Sequence, residues 1–176
     1  MKRTAIALLG VVLGIMISGP VWAEEDADRE TKARETVAMF KKTDPTLKTF
    51  FNESAGYAVF PTVGKGGIII GGAYGKGVVF AGGSAIGKTS LTQATIGAQL
   101  GGQAYSEIIF FEDQNTLDNF KEGNFAFSAQ ATAVALKSGA GANADNKDGV
   151  AVFTAGEAGL MFEASIGGQK FSFEPK

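Results

Sequence analysis

Glycine sets the first limit on this chain. There are 25 glycines in 176 residues, about twice the usual share of ~7%. From Gly56 onward they separate short runs rich in Val, Ile, Phe and Thr. With 4 prolines and no three-residue period, the pattern is neither collagen-like nor a linker. The glycines therefore read as turns, bulges and points of close backbone approach in a β protein.

A different texture precedes them. Residues 24–42 are charge-dense and free of Gly and Pro, with Ala33, Val37 and Phe40 at helical spacing. Acidic residues come early and Lys41 and Lys42 late, as the helix dipole favours. Asp44-Pro45 then reads as an N-cap followed by Pro at the first helical position, with Leu47, Phe50 and Phe51 lining a second, short helix. Beyond it, Tyr57 to Phe60 reads as a strand stopped by Pro61. Residues 67–74 and 77–81 read as a hairpin around Gly75-Lys76. Residues 91–100 and 103–111 read as a second pair around Gly101-Gly102. Asn115 to Lys121 predicts a short helix with Leu117 and Phe120 inward. Phe125 to Leu136 alternates like a strand, residues 138–148 form a loop, and residues 150–154, 160–166 and 169–173 supply the last strands. The expected fold class is α+β, mainly β: short N-terminal helices followed by a Gly-rich antiparallel barrel or sandwich of about eight strands.

Residues 1–23 stand apart. Lys2 and Arg3 precede the uncharged run Ala5 to Ile17, and small residues lead to Val21-Trp22-Ala23. That is the three-part pattern of a secretory signal peptide cleaved after Ala23. The apolar run is shorter than the ~20 residues that a membrane span needs. The division expected is 1–23 leader, 24–53 helical segment and 54–176 β core, the last two forming one domain. The setting expected is export to the periplasm of a Gram-negative bacterium.

Composition then narrows the chemistry. The chain has no Cys and no His, which excludes disulfides, thiolate or imidazole metal sites and nucleophile–histidine catalysis. No cofactor or metal is expected. Asp113, Glu107, Glu157 and Glu163 are available carboxylates, but no spacing singles out a catalytic pair, so an enzyme is not expected. A net charge of −2 speaks against nucleic acid, whose phosphates call for a basic face. Residues Gly82 to Thr89 (GGSAIGKT) match the phosphate-loop pattern. That loop must open a helix, whereas residues 90–100 alternate and are rich in Thr, so a hairpin loop is expected and no nucleotide. Fragments of a dinucleotide fingerprint at 139–144 and of a calcium loop at 143–149 lack the context either motif needs.

Three runs in order carry a resemblance. Residues 54–79 (SAGYAVFPTVGKGGIIIGGAYGKGVV), 95–111 (TIGAQLGGQAYSEIIFF) and 157–169 (EAGLMFEASIGGQ) are similar to the opening, middle and closing segments of the SYLF domain family, together spanning most of residues 33–173. The resemblance implies a lipid-binding module. Eukaryotic relatives bind phosphoinositides and some bind actin; bacterial relatives are small exported proteins. Eukaryotic members often carry an aromatic where this chain has Thr95-Ile96, and actin is not expected outside a bacterial inner membrane. The partner implied is an anionic phospholipid or membrane surface.

Two sets of residues are candidates for that contact. In the family, the segment before the core is implicated as a membrane-contacting amphipathic helix. Here it carries Lys32, Arg34, Lys41, Lys42 and Lys48 beside Val37, Phe40, Phe50 and Phe51. The same segment also suits a stripe packed on the sheet with solvated charges. The second set is Lys65, Lys76 and Lys88, expected on Gly-rich turns where exposed N–H groups and ammonium groups hold phosphate. An alternative to the lipid-binding reading is a small outer-membrane β-barrel or structural envelope protein, since length and strand number suit that class. Scarce Trp and Tyr, and strands apolar on both faces, weigh against it.

Overall fold

The computed structural model describes residues 21–67, 70–96, 103–128, 131–144, 146–156 and 165–176. Residues 1–20 of the expected leader, the Gly101-Gly102 turn and most of the expected strand 160–166 lie outside them, while residues 21–23 of that leader are described as the start of a helix. Three helices are α1 (Val21–Thr43), α2 (Lys48–Glu53) and α3 (Gln114–Lys121). The strands are β1 (Gly56–Gly67), β2 (Ile70–Ala81), β3 (Ser84–Ile96), β4 (Gln103–Phe111), β5 (Val134–Ala135), β6 (Val150–Gly156) and β7 (Lys170–Pro175). They form one sheet in the order β5-β6-β4-β1-β2-β3-β7. The short β5–β6 pair is parallel, and the other neighbours are antiparallel.

The mainly β class holds, but the barrel does not. Among the described residues the ladders end at β5 and β7. Beyond them the described residues add isolated bridges, Ala126 to Lys170, Thr132 to Ser165 and Lys147 to Val150. The sheet is instead layered, with both faces packed. One face, with Phe60, Val79, Leu91, Ile109, Phe111 and Val152, gathers α3 through Leu117 and Phe120. The opposite face, with Val59, Val78, Phe80, Ile108, Phe110 and Phe153, gathers α1 and α2 with the segment around Leu136 and Ala140. Strand alternation sends neighbouring residues to opposite cores, so Ile108 to Phe111 of β4 and Val150 to Phe153 of β6 are continuous apolar runs buried on both sides.

Several local readings give way to longer strands. Pro61 does not stop β1. The ladders slip register between Val59 and Thr62 on one side and between Phe60 and Val63 on the other. A bulge is where a strand accommodates the missing N–H of Pro. Gly75-Lys76 is not a turn but the middle of β2, where Gly75 faces Val63 and Leu91. A Cβ on Gly77 would come within 2.5 Å of the Val59 carbonyl oxygen and 2.8 Å of the Phe60 ring. Those glycines make room for large β1 side chains. The β2–β3 turn falls at Gly82-Gly83, both with positive φ (57° and 79°). Residues 84–96 continue as β3, so the phosphate-loop match folds as a hairpin, not as the start of a helix. β3 and β4 do not pair with each other, because β1 and β2 lie between them. Of the strand expected over 125–136, only Val134–Ala135 joins the sheet among the described residues.

Asp44 anchors the helical layer. It caps the 3-10 turn Pro45–Leu47, accepting from Thr46 N at 3.0 Å and Thr46 Oγ1 at 2.7 Å. It also accepts from Gly139 N at 3.0 Å and Gly141 N at 2.7 Å. Burial pushes its carboxyl up, but the hydrogen bonds from Gly141, Thr46 and Gly139 outweigh that and hold it below the usual range.

Candidate lipid-facing surface

The apolar stripe of the helical segment is spent on the protein's own sheet. Phe40 is fully buried, and Val37, Phe50 and Phe51 pack against the same core. Phe51 meets Phe110 at 4.8 Å and Tyr57 at 5.1 Å between ring centroids, and Phe50 meets Phe153 at 5.3 Å. The reason is the second face of the sheet. Val59, Val78, Phe80, Ile108, Phe110 and Phe153 would lie bare without a cover, and apolar area removed from water is worth about 25 cal/mol per Å². Phe40 therefore presents nothing to a membrane in this arrangement.

The eight candidate cations separate into groups. Lys32 is paired within α1 to Asp28 at 2.7 Å, and Arg34 to Glu30 at 2.7 Å; the Arg34 guanidinium also lies 5.1 Å over the Phe80 ring. Lys65, Lys76 and Lys88 are on strands, not turns. Lys65 is 6% exposed, and burial pushes its ammonium down. Lys76 pairs with Glu25 at 2.8 Å. Lys88 pairs with Asp26 at 2.7 Å and lies 3.7 Å from Glu174. The third group is Lys41, Lys42 and Lys48. All are exposed, and among the described residues none makes an ion pair. The Lys41 ammonium sits 4.4 Å over the Phe51 ring, which ties the end of α1 to α2. Met39 beside them is 38% exposed. Glu35 and Glu53 are exposed on the same two helices.

Two features escaped the sequence reading. The first is the set of ion pairs between α1 and the sheet, for which no local spacing is a signal. The second is Glu107. It is fully buried in β4 and accepts from Gln169 Nε2 at 3.1 Å. Burial pushes its carboxyl up to about 8, against the pull of the Gln169 hydrogen bond. The signal was present: Glu107 alternates with Tyr105, Ile109 and Phe111, so it points into the core. The pair makes this one hydrogen bond, and Glu107 Oε1 and Gln169 Oε1 are buried with no hydrogen-bond partner among the described residues. Asp113 caps α3 by accepting from Thr116 N at 2.8 Å. Glu157 and Glu163 lie outside the described residues. Among the described residues no group of three acidic side chains is placed to hold a metal ion, and no helix is long and apolar enough to cross a membrane.

Comparison with known proteins agrees with the second and third quoted runs; the first, residues 54–79, lies outside the family match. The family model described as Ysc84, a Las17-binding protein actin regulator, matches residues 92–176. That stretch runs from within β3 through β7 and includes Glu107 and Gln169. A curated relative, "Beta cell expansion factor A" of Aeromonas veronii, is 32% identical over 130 residues, which is 72% of this chain and 49% of that protein. The chain thus spans about half the length of the curated relative it matches. Through residues 92–176 this chain belongs to the SYLF (Ysc84) domain family.

Proposed function

We propose that this protein is a non-enzymatic, exported lipid-binding protein that associates with membrane surfaces carrying anionic phospholipid. SYLF membership supports a lipid-binding type of domain. The observation that carries the surface assignment is that Lys41, Lys42 and Lys48, where α1 meets α2, are exposed and make no ion pair among the described residues. A lysine near an anionic leaflet contributes about 1 kcal/mol, so three supply ~3 kcal/mol, roughly a hundredfold in affinity. Met39 adds exposed apolar area at the same place. Export to the periplasm is part of the proposal and rests on the leader pattern of residues 1–23.

The test is co-sedimentation with vesicles of phosphatidylglycerol and phosphatidylcholine. Binding is expected to need the anionic lipid and to weaken with salt. Lys41→Glu with Lys42→Glu is expected to lower it at least ~10-fold, since two favourable charges become repulsive. Failure to sediment with vesicles of any composition refutes lipid binding. Unchanged binding by the double variant refutes this surface.

A further inference from the structure

The first turns of α1 are held to the sheet by charge rather than by packing. From residue 24 onward, the first buried side chain of the helix is Ala33. Before it, three α1 carboxylates reach across to lysines of other elements. Glu25 meets Lys76 of β2 at 2.8 Å, Asp26 meets Lys88 of β3 at 2.7 Å, and Glu30 meets Lys176 at 2.9 Å. These contacts are partly or largely solvent-exposed; the Lys76 and Glu25 side chains are 51% and 55% accessible. Beneath them the helix stands off the sheet. A cavity of about 330 Å³ lies there, bordered by Arg29, Val78, Ala85, Gly87 and Lys88. The lysines hold Glu25, Asp26 and Glu30 below the usual carboxylate range, as expected for charged partners in contact.

We infer that residues 24–32 form a releasable acidic cover over a second cationic surface, made of Lys76, Lys88 and Lys176 with apolar Val78 and Ala85 between them, and that this surface takes an anionic membrane when the cover lifts. The argument is one of charge complementarity. The carboxylates of Glu25, Asp26 and Glu30 occupy the places that lipid phosphates would take on the same three ammonium groups. Exposed ion pairs contribute little and are screened by salt, so an anionic bilayer competes on nearly equal terms. The C-terminal half of α1 stays docked through Phe40, which is buried in the core, and acts as the hinge side. Glu174, 3.7 Å from Lys88, remains on the sheet and limits the gain. This inference rests on the membrane-surface reading above and describes what governs access to a further part of that surface.

Two measurements on the full chain test it. Hydrogen exchange across α1 is expected to accelerate over residues 24–32, but not over residues 36–43, as NaCl rises from about 50 to about 500 mM and the Debye length shrinks. Uniform exchange along the helix overturns the cover. In vesicle co-sedimentation, Glu25→Gln, Asp26→Asn and Glu30→Gln together are expected to raise apparent affinity for phosphatidylglycerol vesicles at least ~5-fold by freeing three lysines. Adding Lys76→Gln, Lys88→Gln and Lys176→Gln is expected to cancel the gain. The charge-matched control Glu112→Gln, Glu122→Gln and Asp148→Asn changes exposed acids that lie on neither α1 nor α2 and is expected to gain less. Equal gains from the two acid-to-amide triples overturn the inference. So does inorganic phosphate that, at matched ionic strength, accelerates exchange over residues 24–32 as much as phosphatidylglycerol vesicles do. The Lys41 and Lys42 variant reads the primary surface separately, so a failure there and a failure here are distinguishable.

Discussion

Replacing Glu107 with Gln removes an acid that the fold keeps in its interior, and the consequence can be worked from its surroundings. In the unfolded chain this carboxyl ionises near 4.5; in the native protein burial pushes it up to about 8, with Gln169 pulling the other way. Between those values the native state holds a proton that the unfolded chain has released. Stability therefore falls as pH rises through this window, by up to ~1.4 kcal/mol per pH unit, and is flat again once both states are ionised. By pH 7 the accumulated loss relative to pH 4.5 is about 3 kcal/mol. Gln is nearly isosteric and stays neutral, and its carbonyl oxygen still accepts from Gln169 Nε2. The assay is urea denaturation of the parent and Glu107→Gln at half-unit steps from about pH 5 to 9. The variant is expected to gain on the parent steadily across the window, reaching about 3 kcal/mol near pH 7 and levelling off above 8. Taking the difference cancels contributions common to both proteins. A difference that stays constant with pH, or a variant that loses ground between pH 5 and 8, refutes a neutral buried acid at this position.

Other expectations follow from single contacts. Asp44→Ala strips two backbone N–H groups and the Thr46 hydroxyl, and a third N–H at Gly139, of a shared charged acceptor. A loss of about 2–4 kcal/mol in urea denaturation is expected, because such hydrogen bonds and caps are individually worth ~1–3 kcal/mol; a loss below ~1 kcal/mol contradicts the anchoring role. Gly77→Ala and Gly64→Ala form a matched pair in adjoining strands. The first drives a Cβ into the Val59 carbonyl and the Phe60 ring, while the second meets nothing within 4 Å. Thermal denaturation is expected to show a cost of ~1–3 kcal/mol for Gly77→Ala and a change within ~0.5 kcal/mol for Gly64→Ala; equal costs would show that packing is not the reason for the β2 glycines. Calorimetric titration with ATP and Mg²⁺ is expected to give no binding, since residues 84–89 are a strand; tight binding lost in Lys88→Ala would contradict that.

The helices were legible because their signals are local. The charge-dense, Gly-free run before Thr43 contains no competing pattern. Asp44-Pro45 carries its own backbone instruction. Leu117 and Phe120 sit one helical turn apart and both face the core. The turns misled for the opposite reason. Gly75-Lys76 and Gly82-Gly83 look alike along the chain, but only the second pair needs positive φ. The first lies within β2, where Gly75 and its neighbour Gly77 accommodate Val63 and Phe60, residues more than ten positions away. Among the candidate residues, periodicity put Phe40 on an apolar stripe but could not say whether that stripe meets lipid or protein. The answer depends on a sheet face assembled from β1, β2, β4 and β6. Lys65, Lys76 and Lys88 read as turn residues along the chain for the same reason that β2 reads there as two strands.

What the amino-acid order determined alone was the class of structure and the kinds of chemistry open to it. Helix first and strands after follow from backbone preferences and short-range periodicity. The lack of Cys and His bars whole families of sites. The runs that mark the family are written in consecutive residues. Tertiary structure alone decided that the described strands form an open sheet, that β1 separates β4 from β2, and that both faces are covered. It also decided which lysines are left free. Strands of similar apolar content pair equally well as neighbours in sequence or at a distance, so their order is settled by which arrangement buries both faces at once. An ion pair such as Lys76 with Glu25 exists only after that order has brought two distant segments together.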